Sequence, residues 1–191
     1  MKNSYLLIKT HSLSNKKTLY CSLEGVGTAM KIAQPHMETY DEKQVPAFGY
    51  ELLRHTLLQE LLGEEIEPIL YWSGRKLARN YPCANSDELI LFFEHASWGT
   101  LKLINETRDK MKFELGSDLI DARFKNKNES NYSLENGFLA EQIQNIKGYT
   151  ADSQIEFKGS RDRKIIFLVA WDPKDPLATE ATPLRRTKRK R

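Results

Sequence analysis

Apolar positions recur first at helical spacing and then in alternation. PAFGYELLRHTLLQELLG (46–63) predicts a helix, with Pro46 near its first position and Gly63 just past its end. Its apolar residues form two stripes: Tyr50, Leu53, Leu57 and Leu61 on one side, Phe48, Leu58 and Leu62 on the other. A helix with two apolar stripes must bury two sides, against its own chain or a dimer partner. EPILYWSGRKLARNYP (67–82) predicts a second helix, with cationic residues toward its end where they suit the helix dipole. Its apolar arc holds Ile69, Leu70, Leu77 and Tyr81, with Ser73, Gly74 and Ala78 among them. A glycine inside a helix costs about 1 kcal/mol against alanine, so close packing or room for a ligand should compensate.

SDELILFFEHA (86–96) predicts a third helix with Ser86 as N-cap. In FFEHASWGTL (92–101) the helical spacing stops at Gly99 and alternation begins, with Trp98 on the joint. TLKLINE, MKFELG and LIDARFK (100–106, 111–116 and 119–125) predict strands. NYSLENGFLAEQIQNIKG (131–148) predicts a fourth helix, capped by Ser133 and stopped by Gly148. SQIEFKG and RKIIFLVAWD follow as strands, the last apolar on both faces and therefore central. The order α-α-α-β-β-β-α-β-β predicts an α+β domain, with helices packed on one face of an antiparallel sheet. Residues 1–44 show no sustained period and read as a loose extension, within which Met30 or Met37 could be the biological start; 45–171 form the domain, and 172–191 a Pro-containing basic tail.

Charge sharpens the reading. The net charge of +3 hides a segregation: RRTKRKR at 185–191 carries +6, residues 1–36 carry +4, and the remaining 37–184 carry −7. So acidic a body is poorly suited to gripping a phosphate backbone, and no specific nucleic-acid partner is expected. Cys21 and Cys83 match no zinc or redox spacing, and no disulfide framework is present, which fits a reducing cytosol and a cytoplasmic location. The apolar patch Tyr5–Ile8 is too short for a signal-peptide core, and no run approaches membrane-spanning length.

Candidate chemistry is sparse. The chain has no Gly-rich phosphate loop, HExxH or nucleophile elbow. His11, His36, His55 and His95 share no metal-site spacing, and His55 and His95 read as solvated. The carboxylates read as spread over surfaces. Gln142 falls between Phe138 and Ile146 inside an apolar stripe, so its amide either bonds nearby backbone or serves as the polar handle of an apolar pocket. Trp72 projects among Arg75, Lys76 and Arg79, as a cation–π cover or an interface anchor. Phe92 and Trp98 read first as core.

VPAFGYELLR (45–54), ILYWSGRKLAR (69–79), ELILFFEHASWGTLKL (88–103) and ENGFLAEQIQ (135–144), in that order, resemble the YslB family, small proteins of Gram-positive bacteria related to Bacillus. The likeness covers about 45–171 and neither tail. Through that family the chain is distantly similar to the ligand-binding domains of nitric-oxide signalling and of TRAPP transport-particle subunits, including the vinyl-reductase-type domain. The resemblance implies helices on a twisted antiparallel sheet, often dimeric, in some relatives around an apolar channel. Gly74 and Ala78, Trp98–Gly99, and Gly137, Leu139 and Ala140 stand where those relatives carry small residues and glycines. Ser97 departs from the glycine usual in YslB-like chains. The cysteines near the ligand of vinyl-reductase-type domains are absent, so no metal or thiol chemistry is carried over; Cys83 does not match the acylated cysteine of the transport subunits.

The combined expectation is a non-catalytic module binding an apolar small molecule, with a pocket lined by some of Leu70, Gly74, Ala78, Phe92, Trp98, Phe138 and Gln142. The alternative is a protein-interaction or homodimer scaffold using Leu53, Leu57 and Trp72. An enzyme of unrecognised type is a third class, since fold analogy carries no reaction.

Overall fold

The computed structural model describes residues 45–126, 130–158 and 163–177. The expectations for the N-terminal extension and the basic tail lie outside these residues. The chain divides into two units between Tyr50 and Glu51. In the first, described over 45–50, the Gly49 N–H donates to the Pro46 carbonyl at 3.0 Å as helix α1 (Ala47–Glu51) begins. All that follows concerns the second unit.

The expected first helix is interrupted. A π-helical turn occupies Leu52–Leu57, α2 runs over Leu58–Leu62, and a short 3₁₀ turn, Gly63–Glu65, leads into α3 (Ile66–Asn80). The widened turn shifts the stripes read from a regular wheel. Arg54 turns inward, while Leu53 and Leu57 face solvent.

Helix α4 (Ser86–His95) is capped by Asn85 rather than Ser86: the Asn85 side chain accepts from the Asp87 and Glu88 N–H groups. Strands β1 (Thr100–Glu106) and β2 (Lys110–Gly116) follow, then α5 (Asp118–Lys125). That segment, LIDARFK, was expected as a strand and is a helix. The Ser117 hydroxyl accepts the Ile120 N–H, Asp118 and Asp121 occupy the first turn, and Arg123 and Lys125 the last. These end effects and the inward Ile120–Arg123 pair outweigh a weak alternation. Helix α6 (Ser133–Lys147) begins without a Ser133 cap; the Asn131 carboxamide accepts the Ser133 N–H instead, at 2.8 Å. Strands β3 (Tyr149–Lys158) and β4 (Lys164–Pro176) close the fold, β4 running four residues past the expected strand end at Asp172.

The four strands form one antiparallel sheet in the order β1-β2-β4-β3, so β4 is central as its doubly apolar pattern required. Leu101, Met111, Phe113, Leu115, Ile165, Phe167, Val169 and Trp171 point to the helical side and are buried. Helices cover that side of the sheet, with α6 on β3 and β4, α4 on β1, and α3 on the outer side of α6, while Ile120 of α5 joins the core. On the other side Ile166 lies between Glu114 and Glu156 in register. There Lys112 reaches Glu156 at 2.6 Å, across β4, and Lys164 pairs with Glu114.

Candidate functional site

The middle of α6 is buried on every side. Nine consecutive residues, Glu135 to Ile143, are buried because the helix lies between the sheet and α3. Close approach of α3 explains the glycines. A Cβ on Gly74 would lie 2.0 Å from the Leu134 carbonyl oxygen, and one on Gly137 would lie 1.9 Å from that of Tyr71. The space beside Gly74 is thus taken by α6 backbone, and Ala78 and Leu70 on the same face are buried.

Four polar residues on this buried stretch each find partners. The Glu135 carboxylate accepts from Arg54 Nη2 at 2.6 and 2.7 Å. Asn136 Nδ2 donates to the Ser153 carbonyl at 2.9 Å, and the Ser153 hydroxyl donates to Asn136 Oδ1 at 2.6 Å. Glu141 accepts from Arg75 Nε at 2.8 Å and Arg79 Nε at 2.6 Å. Burial would raise the Glu141 carboxyl, but the bonds from Arg79 and Arg75 outweigh it and hold it below its ordinary value. Gln142 accepts the Cys83 N–H at 3.0 Å and donates to the Tyr81 and Ala78 carbonyls at 2.6 and 3.3 Å. Its amide therefore ties down the C-terminal end of α3, the first of its two expected readings. Glu135 and Glu141 correct the expectation that the carboxylates are spread over surfaces.

Phe92, Trp98 and Phe138 come together. Phe92 stacks on Phe138 with centroids 4.4 Å apart, and Trp98 stands edge-on to Phe138 at 5.3 Å. Phe93 and Tyr81 extend the cluster, and Phe92 is its partly exposed member beside Tyr81. Trp98 is fixed by the end of α4. The Ser97 N–H donates to Glu94 O and the Trp98 N–H to Phe93 O, both at 3.0 Å, with Ser97 at φ 57°. This is the Schellman pattern, and the Phe93–Trp98 contact is its apolar clasp.

A second cluster sits under the π-helical turn, where sequence reading looked for nothing. Arg123 donates to the Glu51 carboxylate at 2.6 to 3.2 Å and lies over the Tyr132 ring. His55, expected to be solvated, has both ring nitrogens buried with no hydrogen-bond partner among the described residues. Burial and then Arg123 push its imidazole down to about 4, Glu51 opposes this, and Arg54 adds to it. The available signal was a histidine on a helix whose two apolar stripes leave no clean polar face. Cys83 is likewise an inert thiol, pushed up to about 12 by burial and Glu88. Among the described residues no three of His, Cys, Asp or Glu gather where a metal could sit.

The remaining site residues lie outward. Leu53 is 60% exposed, Leu57 45% and Trp72 62%. Leu61 and Ile69 are also exposed. Trp72 floors a shallow open depression of about 440 Å³ on α3, lined by Glu65, Pro68, Ile69, Trp72, Ser73 and Lys76. The Arg75 guanidinium lies 5.6 Å from the centroid of the Trp72 ring. Leu53 and Leu57 are not part of that depression, so the structure gathers the inward residues into one packed layer and leaves the outward ones on separate elements. No helix of the described residues is long and apolar enough to cross a membrane.

Helices on a four-stranded antiparallel sheet define an α+β domain. A crystal structure of a vinyl-4-reductase family protein from Methanocaldococcus jannaschii superposes with a TM-score of 0.51 at 20% identity, over 71% of this chain and 88% of that one, a likeness of fold alone. Residues 47–170 match the family described as "Protein of unknown function (DUF2507)", and the chain belongs to that family. It is similar to the "Uncharacterized protein YslB" of Bacillus subtilis (strain 168), 37% identical over 141 residues that span 74% of this chain and 95% of the relative.

Proposed function

We propose that this chain is a non-catalytic protein-interaction module, whose working residues are the outward apolar side chains of the π-helical turn and of α3. The observation that supports this reading most is the exposure of Trp72, Leu53 and Leu57. Large apolar groups facing water on successive helical elements are costly unless a partner covers them, and tryptophan is the residue most often found at the energetic centre of an interface. The test is a photo-crosslinking residue placed at Leu57, at Trp72 and, as control, at the exposed polar position Asp118, in cells of the native host. Defined protein adducts at Leu57 or Trp72 and none at Asp118 are expected. The same background at all three positions would overturn the reading.

A second reading keeps an apolar small molecule. Its support is the ring cluster of Phe92, Trp98 and Phe138, which reaches the surface at Phe92. A ligand would have to part Phe92 from Phe138 and would change the surroundings of the Trp98 indole. Stoichiometric uptake of an apolar dye, with an emission change lost in Trp98→Phe, is the expected result. Absence of uptake by the folded chain would remove this reading.

A further inference from the structure

We infer that α3 pairs antiparallel with α3 of a second copy of this chain, about a two-fold axis passing between Leu70 and Tyr71. The inference rests on the interaction reading above and names the partner for its α3 part.

The six residues lining the depression fall on two neighbouring rows at i, i+4 spacing: Ile69 and Ser73 on one, extended by Glu65 at the N-cap of α3, and Pro68, Trp72 and Lys76 on the other. Turned about the proposed axis, each row falls on the other. Ile69 meets Trp72 of the second copy, Pro68 meets Ser73, and Glu65 meets Lys76. In a two-fold interface every contact occurs twice, so a surface serves only if it complements itself. This stripe does: apolar residues meet at its centre, a small side chain lies opposite the proline ring, and opposite charges stand at the ends. Glu65 and Lys76 are about 8 Å along the helix from the centre, at 1.5 Å per residue.

Three further observations favour this occupant. Among the described residues Glu65 and Lys76, both exposed, make no ion pair or hydrogen bond. Charge is graded along the helix, with Glu64, Glu65 and Glu67 at its start and Arg75, Lys76 and Arg79 toward its end. A parallel arrangement would set like charges together, and the antiparallel one sets opposite charges together, as the helix dipoles also favour. Finally, Trp72 is positioned in advance. Arg75 lies beside its ring, and Arg75 is itself held by Glu141 and by Gln144 at 2.7 Å. An anchor already oriented loses less freedom on binding.

Sedimentation of the full chain tests this. The wild type should be a dimer at micromolar concentration, and Trp72→Glu should weaken it by roughly a hundredfold. Glu65→Lys or Lys76→Glu alone should weaken it by about tenfold, because each places like charges at both ends. The double variant E65K/K76E should restore the dimer. So should an equimolar mixture of the two single variants, since a mixed pair regains both opposite-charge contacts. All three positions are exposed, and thermal melts should confirm unchanged folding. A wild-type monomer at hundreds of micromolar, or a dimer indifferent to Trp72→Glu, would overturn the inference. Single reversals with no effect, or a swap and mixture that restore nothing, would overturn the antiparallel register. Monomer behaviour together with crosslinks to a different protein at Leu57 would sink this inference and leave the interaction reading standing.

Discussion

Arg54 and Glu135, 81 residues apart, meet as a buried ion pair, with 2.6 Å between Nη2 and Oε2 and both side chains less than a tenth exposed. The pair joins the π-helical turn to the first turn of α6. Removing one partner strands the other charge away from water, so Glu135→Ala should cost about 3–5 kcal/mol. Arg54→Met combined with Glu135→Leu should recover most of that, because an apolar pair of similar volume needs no desolvation of charge. Urea unfolding midpoints of the three chains measure both effects. A double variant as unstable as the single one would show that side-chain shape, not charge, makes the joint.

His55 lies beside this pair and gives the fold a pH dependence. Its imidazole, held at about 4 against an ordinary 6.5, is neutral when folded and charged when unfolded across the interval between. There the unfolded chain binds more protons, so stability rises with pH from about 4 to 6.5 and is flat above. The ring is only partly buried, so solvent screening discounts the effect to on the order of 1–2 kcal/mol. Denaturation at a series of pH values should show this slope in the wild type and lose it in His55→Leu. An unchanged slope in the variant would assign the acid sensitivity in this interval to other groups, and not to Glu141, whose lowered carboxyl acts only below its own ordinary value.

The sheet was legible because β2 alternates cleanly and β4 is apolar on both sides, a pattern that suits an interior strand. LIDARFK was misread because its alternation is as regular as its helical spacing, and the deciding signals lie at its ends, in Ser117 and the paired acids and bases. Among the site residues, Gly74 and Gln142 stand out in the sequence as anomalies on an apolar face. What they compensate could not be read locally. Gly74 answers to Leu134 and Gln142 to the backbone of residues 78–83, contacts set by the crossing of α3 and α6. The charged cluster was invisible for a related reason: Arg54, Glu135, Glu51 and Arg123 look solvated until the chain brings opposite signs together in its interior.

The crossing itself makes a prediction of opposite sign to helix propensity. Alanine is favoured over glycine inside a helix by about 1 kcal/mol, so an unpacked Gly74 or Gly137 would gain from Gly→Ala. Here the added methyl would meet backbone oxygen at 2.0 and 1.9 Å, which forces the helices apart. Each substitution should instead destabilise by about 1–3 kcal/mol or more. Thermal melts decide the sign, and a rise in Tm for either would mean that the helices are not in contact at that residue.

Gln142 carries three hydrogen bonds at the end of α3, and Gln142→Leu keeps the volume while removing all of them. The Cys83 N–H and the Tyr81 carbonyl would be left buried without that partner, at about 1–3 kcal/mol for each group stranded. A loss of roughly 2–4 kcal/mol is expected, with faster amide exchange confined at first to residues 78–83. Exchange accelerated uniformly over the domain would contradict a local clamp.

Ser97 offers a gain. It occupies the left-handed position that closes α4, at φ 57°, where a side chain costs about 1–2 kcal/mol and glycine nothing. Glycine loses about 0.4–1 kcal/mol of that advantage through the freedom it adds to the unfolded chain. Ser97→Gly should therefore stabilise by about 0.5–1 kcal/mol. The Ser97 and Trp98 amide bonds to Glu94 and Phe93 do not use the serine side chain, so the clasp of Trp98 on Phe93 should persist. Chemical denaturation gives the gain, and unchanged Trp98 emission confirms the clasp. A destabilised variant would show that the hydroxyl, not the backbone, holds this joint between helix and strand.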